Sequence, residues 1–197
     1  SNQGLAFERM IIATDNGTIM NSSTGIWDVS GIATSYIPSG LSAANAVHGY
    51  GLDTVIVGAG GIVPYRTYLG GFGTRVATTS IFYDVKVFND GADNHVVAVG
   101  SGTIWYAHDL SWNGSAYVVT WSQAASFSGI LRSVQVLDSM RAIAVGDGGL
   151  IMYSIDGFAT WVNPGALDNG SLVTGVNLST IAILNASDYV VSGVIQN

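Results

Sequence analysis

Few side chains in this chain are equipped for chemistry, and their types and spacing limit what they can do. His48, His95 and His108 share no metal-ligand spacing. The absence of cysteine excludes disulfides and thiolate metal sites. His108-Asp109 is an acid–base neighbour pair, but the sequence places no nucleophile beside it. Glu8 is the only glutamate, and twelve aspartates supply many formal carboxylate pairs without a distinguishing one. Gly58-Ala59-Gly60-Gly61 lacks the lysine and the following helix of a phosphate loop. Five arginines and Lys86 give a net charge of −7, which leaves almost nothing to neutralise phosphates, so nucleic acid is not expected as a partner. Catalytic residues, metal and cofactor are all read as none.

The elements that would position these groups are short strands around glycine turns. The clearest stretch is Ala142 to Trp161, AIAVGDGGLIMYSIDGFATW. Two apolar runs, Ala142–Val145 and Leu150–Tyr153, flank Gly146-Asp147-Gly148-Gly149, and glycine reaches the positive φ that a tight reversal needs. Weaker copies recur. With the residue after the first run as reference, they fall at Thr14, Gly58, Gly100, Gly146 and Ser192, spaced by 44, 42, 46 and 46 residues. A period in the forties with several strands per unit predicts an all-β propeller of about four to five four-stranded blades. The repeat units are about 1–30, 31–80, 81–126, 127–172 and 173–197 within one domain. In the fourth unit the strands are Arg132–Leu137, Arg141–Val145, Leu150–Tyr153 and Thr160–Val162. Residues 31–50 read as irregular, and Tyr65–Phe72 as a long exposed loop. Asp15 and Asp147 fill the same turn in two repeats where others carry Ala59 and Ser101, which suits a turn role better than a repeated metal site.

Composition agrees with many short buried strands. Apolar residues make up 48% of the 197, there are 26 glycines, and only 10% are charged. No apolar run is long enough to cross a bilayer as a helix, so membrane insertion is not expected. Six Asn-X-Ser/Thr triplets, at Asn16, Asn21, Asn113, Asn169, Asn177 and Asn185, are what a chain rich in these residues generates by composition.

Ser154-Ile155-Asp156-Gly157-Phe158-Ala159-Thr160-Trp161 resembles the Asp-box, Ser-X-Asp-X-Gly-X-Thr-Trp, with Phe158 where the box has glycine. Together with Ala142–Gly149 it is similar to a blade of the Asp-box (BNR) propellers, and more narrowly to the photosystem II assembly/stability factor-like repeats. Trp27, Trp121 and Trp161 end their units, where such families place a packing tryptophan. The resemblance implies structural roles for Ser154, Asp156, Thr160 and Trp161: the aspartate caps the hairpin and the tryptophan packs between blades. It also implies two alternatives. A sialidase-like glycoside hydrolase would need an arginine cluster, but Arg9, Arg66, Arg75, Arg132 and Arg141 occupy unrelated positions of their repeats. An assembly factor for a membrane protein complex is the other alternative.

The reading that results is a non-catalytic, rigid structural or binding module, located outside the cell or on a virion surface. A protein or glycan partner is expected on one face. Tyr65, Tyr68, Phe72 and Trp112 are the candidate stacking surfaces. The first unit lacks an inner strand and the last lacks outer ones, so the blades either close by strand sharing, belong to a larger propeller, or are completed by self-assembly or a larger assembly.

Overall fold

A computed structural model describes residues 11–13, 18–22, 32–36, 41, 43–66, 71–163, 175–183 and 189–195. The described residues are strands β1 (Ile11–Ala13), β2 (Thr18–Ser22), β3 (Ile32–Tyr36), β4 (Ala43–Tyr50), β5 (Asp53–Arg66), β6 (Gly71–Phe72), β7 (Val76–Asn89), β8 (Asn94–Trp112), β9 (Tyr117–Val136), β10 (Ala142–Gly146), β11 (Ile151–Ser154), β12 (Val176–Ile183) and β13 (Tyr189–Ile195). Their helical content is one turn, Asp147–Gly149. Every pairing is antiparallel.

The long strands are folded or shared. His95 and His108 lie in the same strand, and an extended chain at about 3.3 Å per residue would hold them some 40 Å apart. Their Nδ1 atoms are 2.8 Å apart, so β8 doubles back on itself at Gly100–Thr103, where Gly102 has φ 67°. In β5 the same reversal falls at Gly58–Gly61, and it brings Val57 and Ile62 into one cluster. By contrast, β7 and β9 each serve two blades. Residues 76–81 of β7 pair with β5, while 82–89 pair with β8. Likewise Tyr117–Ile130 of β9 pairs with β8 and Leu131–Val136 with β10. A blade is therefore an inner strand, two arms of a glycine hairpin, and an outer strand that runs on to begin the next blade. In the fourth blade the outer strand is reduced to the single bridge Tyr153↔Val162.

One feature recurs in all four described inner strands. Opposite Gly58, Gly100, Gly146 and Gly193 the register slips by one residue, at 44/46, 82/84, 131/133 and 178/180. A β-bulge of this kind adds an unpaired residue and brings the partner backbone close. A Cβ on those glycines would sit 1.6, 2.2, 1.8 and 2.3 Å from the carbonyl oxygens of Ala43, Ile81, Ile130 and Asn177. Only glycine fits. The equivalent of Gly146 in the last unit is therefore Gly193, one residue beyond Ser192; Thr14 lies outside the described residues.

Two readings of the sequence need correction. Residues 31–50, read as irregular, contain β3 and β4, whose Ala, Asn and Gly content hides strands that pairing with β2 and β5 imposes. Tyr65, read as part of an exposed loop, ends the second arm of β5 and is fully buried with Leu41, Ile56 and Val63.

The core lies between blades. Val55, Val57, Ile62, Phe82, Val85 and Val96 fill one seam, and Val97, Val99, Ile104, Leu131, Ala144, Met152, Phe158 and Trp161 the next. Polar side chains stitch successive inner strands together within these seams. Asn45 donates to the Phe82 carbonyl (2.7 Å), His48 Nδ1 accepts from Val87 N–H (3.0 Å), and Gln135 donates to the Ile181 carbonyl (3.2 Å). Asp84 Oδ2 accepts from Val134 N–H (3.0 Å) and from the Ser133 hydroxyl (3.2 Å). Burial, with Lys86 nearby, holds the His48 imidazole below its usual pKa, which keeps Nδ1 free to accept.

Candidate functional site

The strand order gives the disc two faces with different chemistry. On one, the bulges of the inner strands meet the glycine hairpins; this is the bulge face. Arg132, the bulged residue of its strand, makes a bidentate pair with Asp147 (Nε–Oδ1 2.9 Å, Nη2–Oδ2 2.8 Å). Its guanidinium also lies 4.5 Å over the ring of Tyr83, the bulged residue of the preceding blade. Gly148 N–H donates to Asn177 Oδ1 (3.0 Å), and Arg75 donates to the Gly60 carbonyl. The fixed Asp147 carboxylate raises the Arg132 pKa further.

The opposite face carries the turns between inner and second strands and between third and outer strands; this is the loop face. Its best-defined part is the loop Ser154–Trp161, which folds around its own side chains. Ser154 Oγ donates to Asp156 Oδ1 (3.0 Å) and accepts from Phe158 N–H (3.1 Å). Asp156 accepts from Thr160 N–H (2.9 Å) and from the Thr160 hydroxyl (2.5 Å). Trp161 Nε1 donates to the Phe158 carbonyl (3.0 Å), and Gly157 N–H to that of Met140 (3.0 Å). The Thr160 hydrogen bonds, side chain first and backbone second, hold the Asp156 carboxyl below the usual carboxylate range.

Phe158 occupies the left-handed region, φ 70°, which is rare for a bulky residue. The conformation is therefore the one glycine would adopt, and the side chain is fully buried instead. It stacks on His108 with ring centroids 5.9 Å apart and an interplanar angle of 18°. Packing in the seam offsets the backbone cost.

Behind Phe158 runs a polar chain that the sequence reading missed. His95 Nε2 bonds Asp90 Oδ2 (2.9 Å), and His95 Nδ1 bonds His108 Nδ1 (2.8 Å). With both rings neutral, His95 donates to the carboxylate and accepts from His108, which leaves His108 Nε2 unprotonated. The signal lay in the turn: counting back from Ser101-Gly102 pairs residue 95 with 108. Backbone N–H from Asp93 is the main cause that pulls the Asp90 carboxyl far below its usual value, followed by His95 and Ala92 N–H. A shallow cleft of 240 Å³ flanks His108, lined by Tyr106, Asp109, Val118, Thr120 and Ser122 among others. It is smaller than the roughly 300–1,000 Å³ of ordinary ligand pockets. Among the described residues no Ser or Thr hydroxyl is hydrogen-bonded to His108, and no group of three His, Cys, Asp or Glu could hold a metal ion.

Of the candidate stacking residues, Tyr65 presents no exposed ring, though its carbonyl accepts from the Tyr117 hydroxyl (2.7 Å). Trp112 is half-buried on the loop face, edge-on to Tyr117 with centroids 5.2 Å apart. Phe72 lies on β6, paired with Tyr65, and Tyr68 is outside the described residues. The buried ring removes Tyr65 from such a surface, and the side chains of Tyr68 and Phe72 lie outside the described residues. Arg132 and Arg141 lie at opposite faces, before and after the same inner strand, and Arg141 pairs with Asp138 (2.7 Å). Glu8, Arg9 and Trp27 are outside the described residues.

Apolar exposure is what sets the loop face apart. The described residues include eight exposed large apolar side chains: Tyr50, Leu52, Ile81, Val118, Met140, Ile155, Val162 and Val190. All but Ile81 lie in, or within two residues of, loop-face turns. Ile155 is 66% exposed and Met140 51%, and the Gly157–Met140 bond holds their two turns side by side. Most of the described acids are there too: Asp53, Asp90, Asp93, Asp109, Asp138 and Asp156, against Asp84 within a seam and Asp147 on the bulge face.

These strands, seams and faces are those of a β-propeller, and solved structures agree. The chain is similar to the RRP9 WD40 repeats, with TM-score 0.63, 9% identity, and coverage of 94% of this chain and 56% of that one. It is also similar to YCF48 from Cyanidioschyzon merolae, with TM-score 0.62, 14% identity, and coverage of 98% and 69%. A third similar structure, YCF48 bound to D1 peptide, gives TM-score 0.59, 14% identity, and coverage of 96% and 59%. The chain thus spans little more than half the length of the RRP9 propeller. No protein-family description and no curated protein matches the sequence.

Proposed function

We propose that this propeller is a non-catalytic binding module that receives a protein partner on its loop face, at the surface of a cell or virion. The observation that carries this reading is the one-sided distribution of exposed apolar side chains, with Ile155 and Met140 on turns held side by side, since neighbouring exposed apolar side chains mark an interaction site where scattered ones do not. A structure of similar fold, YCF48, has been solved with the D1 peptide bound, so a propeller of this kind can accommodate a peptide. The absence of catalysis is supported by the use of the titratable groups. Asp156 is spent on its loop, Asp84 on a seam, Asp147 on Arg132, and the Asp90–His95–His108 chain ends at a shallow cleft where, among the described residues, no hydroxyl nucleophile is bonded to His108. The surface location is supported by the low charge content and the wealth of Ser, Thr, Asn and Gly.

The loop Ser154–Trp161 is proposed to be an Asp-box in a structural role, with Phe158 filling the seam from the position where the box has glycine. The test of the functional reading is a random-peptide display selection run beside a glycan array. Peptide binders should be enriched, and Ile155→Ser/Met140→Ser should lose them while Tyr83→Ala on the bulge face keeps them. Glycan binding without peptide binding, or peptide binding indifferent to Ile155 and Met140, would overturn it.

A further inference from the structure

The loop face carries charge as well as apolar surface, and the described charge is predominantly negative. The exposed acids Asp90 and Asp93 stand on the inner turn of the third blade, Asp109 near its outer turn, and Asp156 beside Ile155 on the fourth. Among the described side chains the cation of this face is Arg141, which is paired with Asp138. The two best-held carboxylates, Asp90 and Asp156, keep their charge because neighbouring N–H and O–H groups donate to them. Asp93 and Asp109 are exposed, and Asp109 adopts φ 58°, a conformation Asn and Asp tolerate best. The second and third blades are tied on this face by Asn94–Asp53 (3.0 Å) and Tyr117–Asp53 (3.2 Å), and His108 of the third stacks on Phe158 of the fourth (5.9 Å), so Asp109 and the Ile155–Met140 pair stand on adjoining, packed blades.

We propose that the occupant of this face is a basic polypeptide segment bearing apolar side chains, with lysines or arginines against Asp93, Asp109 and their neighbours and an apolar anchor at Ile155 and Met140. This rests on the reading of the loop face as the binding surface and adds the chemistry of the partner. Complementary charge steers the encounter and fixes register, while the apolar anchor supplies affinity. A second copy of the chain is disfavoured as the occupant, because it would bring like-charged faces together at a net charge of −7 each. An anionic lipid surface is disfavoured for the same reason.

The test uses three synthetic twelve-residue peptides, alternating leucine with lysine, glutamate or serine, titrated against the whole chain by fluorescence anisotropy. The lysine peptide should bind best, and its affinity should fall about tenfold between 20 mM and 300 mM salt. Asp93→Asn/Asp109→Asn should weaken it about fivefold with an unchanged melting temperature, and Ile155→Ser/Met140→Ser should weaken it at any salt. If all three peptides bind equally and only the Ile155/Met140 variant loses them, the face stands and the partner chemistry is wrong. If none binds, or none depends on Ile155 and Met140, the reading of the face itself fails. Concentration-dependent dimerisation abolished by Ile155→Ser/Met140→Ser would overturn the proposal in favour of a second copy.

Discussion

The two faces of this propeller solve different problems with the same short turns. On the bulge face the chain closes on itself. Each described inner-strand bulge presses a carbonyl against a glycine, and Arg132 is spent on Asp147 and Tyr83. On the loop face the turns are also satisfied, but mainly by their own side chains: Asn113 accepts from Ser115 and Ala116 N–H, Asp138 from Met140 and Arg141 N–H, and Asp156 from Thr160. Turns held mainly from within can leave Ile155, Met140 and Tyr50 facing solvent. The bulge face holds the disc together, and the loop face is free to meet something else.

Glycine substitution should break this contrast most sharply. Gly58→Ala places a Cβ 1.6 Å from the Ala43 carbonyl, a clash with backbone that no rotamer relieves. Its expected cost exceeds about 3 kcal/mol, enough to threaten folding. Gly114, on the loop face, has φ 99° and open space around its missing Cβ. Gly114→Ala should therefore cost only about 1–2 kcal/mol, from backbone strain alone. Equal losses in a denaturant titration of the two variants would dissolve the distinction between a clamped face and an open one.

Phe158 sharpens the comparison, because it is the loop-face residue that reaches into the core. Replacing a buried Phe by Ala typically costs about 3–5 kcal/mol. With φ at 70°, alanine would keep the left-handed strain and lose the packing. Phe158→Gly loses the same packing but relieves about 1 kcal/mol of that strain. Glycine should therefore be better tolerated than alanine here, the reverse of the usual order in a strand or helix. If Phe158→Ala proved the more stable of the two, the positive φ would not be costing what its geometry says.

Arg132→Met is expected to have a smaller effect, about 1 kcal/mol, because the pair is partly exposed and screened by salt. The loss should shrink at high ionic strength, and Arg132→Lys should restore little of it, since lysine cannot reproduce the two-pronged bond to Asp147. Thermal melts of the three proteins at low and high salt decide this.

Much of the fold was legible because close backbone approach leaves a mark in composition. Wherever a bulge faces a hairpin only glycine fits, so Gly58, Gly100 and Gly146 recur at near-constant spacing and declare the blade. The phase slipped at Ser192 because a bulge changes the pairing by one residue, and apolar runs alone do not reveal which residue is left unpaired. Strand β4 was hidden for a related reason: Ala43, Ala44 and Ala46 are held extended by neighbours, not by their own preference. The site was less legible. Tyr65 looked like a loop aromatic because Pro64 and the glycines after it suggested irregular chain, yet the hairpin arm continues through Pro64 to Arg66. The His95–His108 bond needed the register of one hairpin, which a two-residue turn supplies once its position is fixed.

The smallest expected effect, and the one that isolates the loop face from the core, is that of Asp156→Asn. The carboxylate is solvent-exposed, so burial explains none of its role; the N–H and O–H of Thr160 and the hydroxyl of Ser154 favour its charged form. Its pKa in the fold is therefore lowered from the ordinary 3.8. A group with a lowered folded pKa contributes stability that is fully present above its unfolded value and is lost as pH falls through the folded one. Asparagine keeps an acceptor oxygen but not the charge. The variant should thus melt only about a degree below the parent at pH 7, with the gap narrowing below pH 3.8 and closing once Asp156 itself is protonated. Because the bonds of this carboxylate stay within its own loop, binding of the leucine–lysine peptide at neutral pH should weaken only by the loss of one charge. A gap in melting temperature that persisted unchanged at acid pH would mean the loop is held by its backbone and by Trp161, with the carboxylate a bystander.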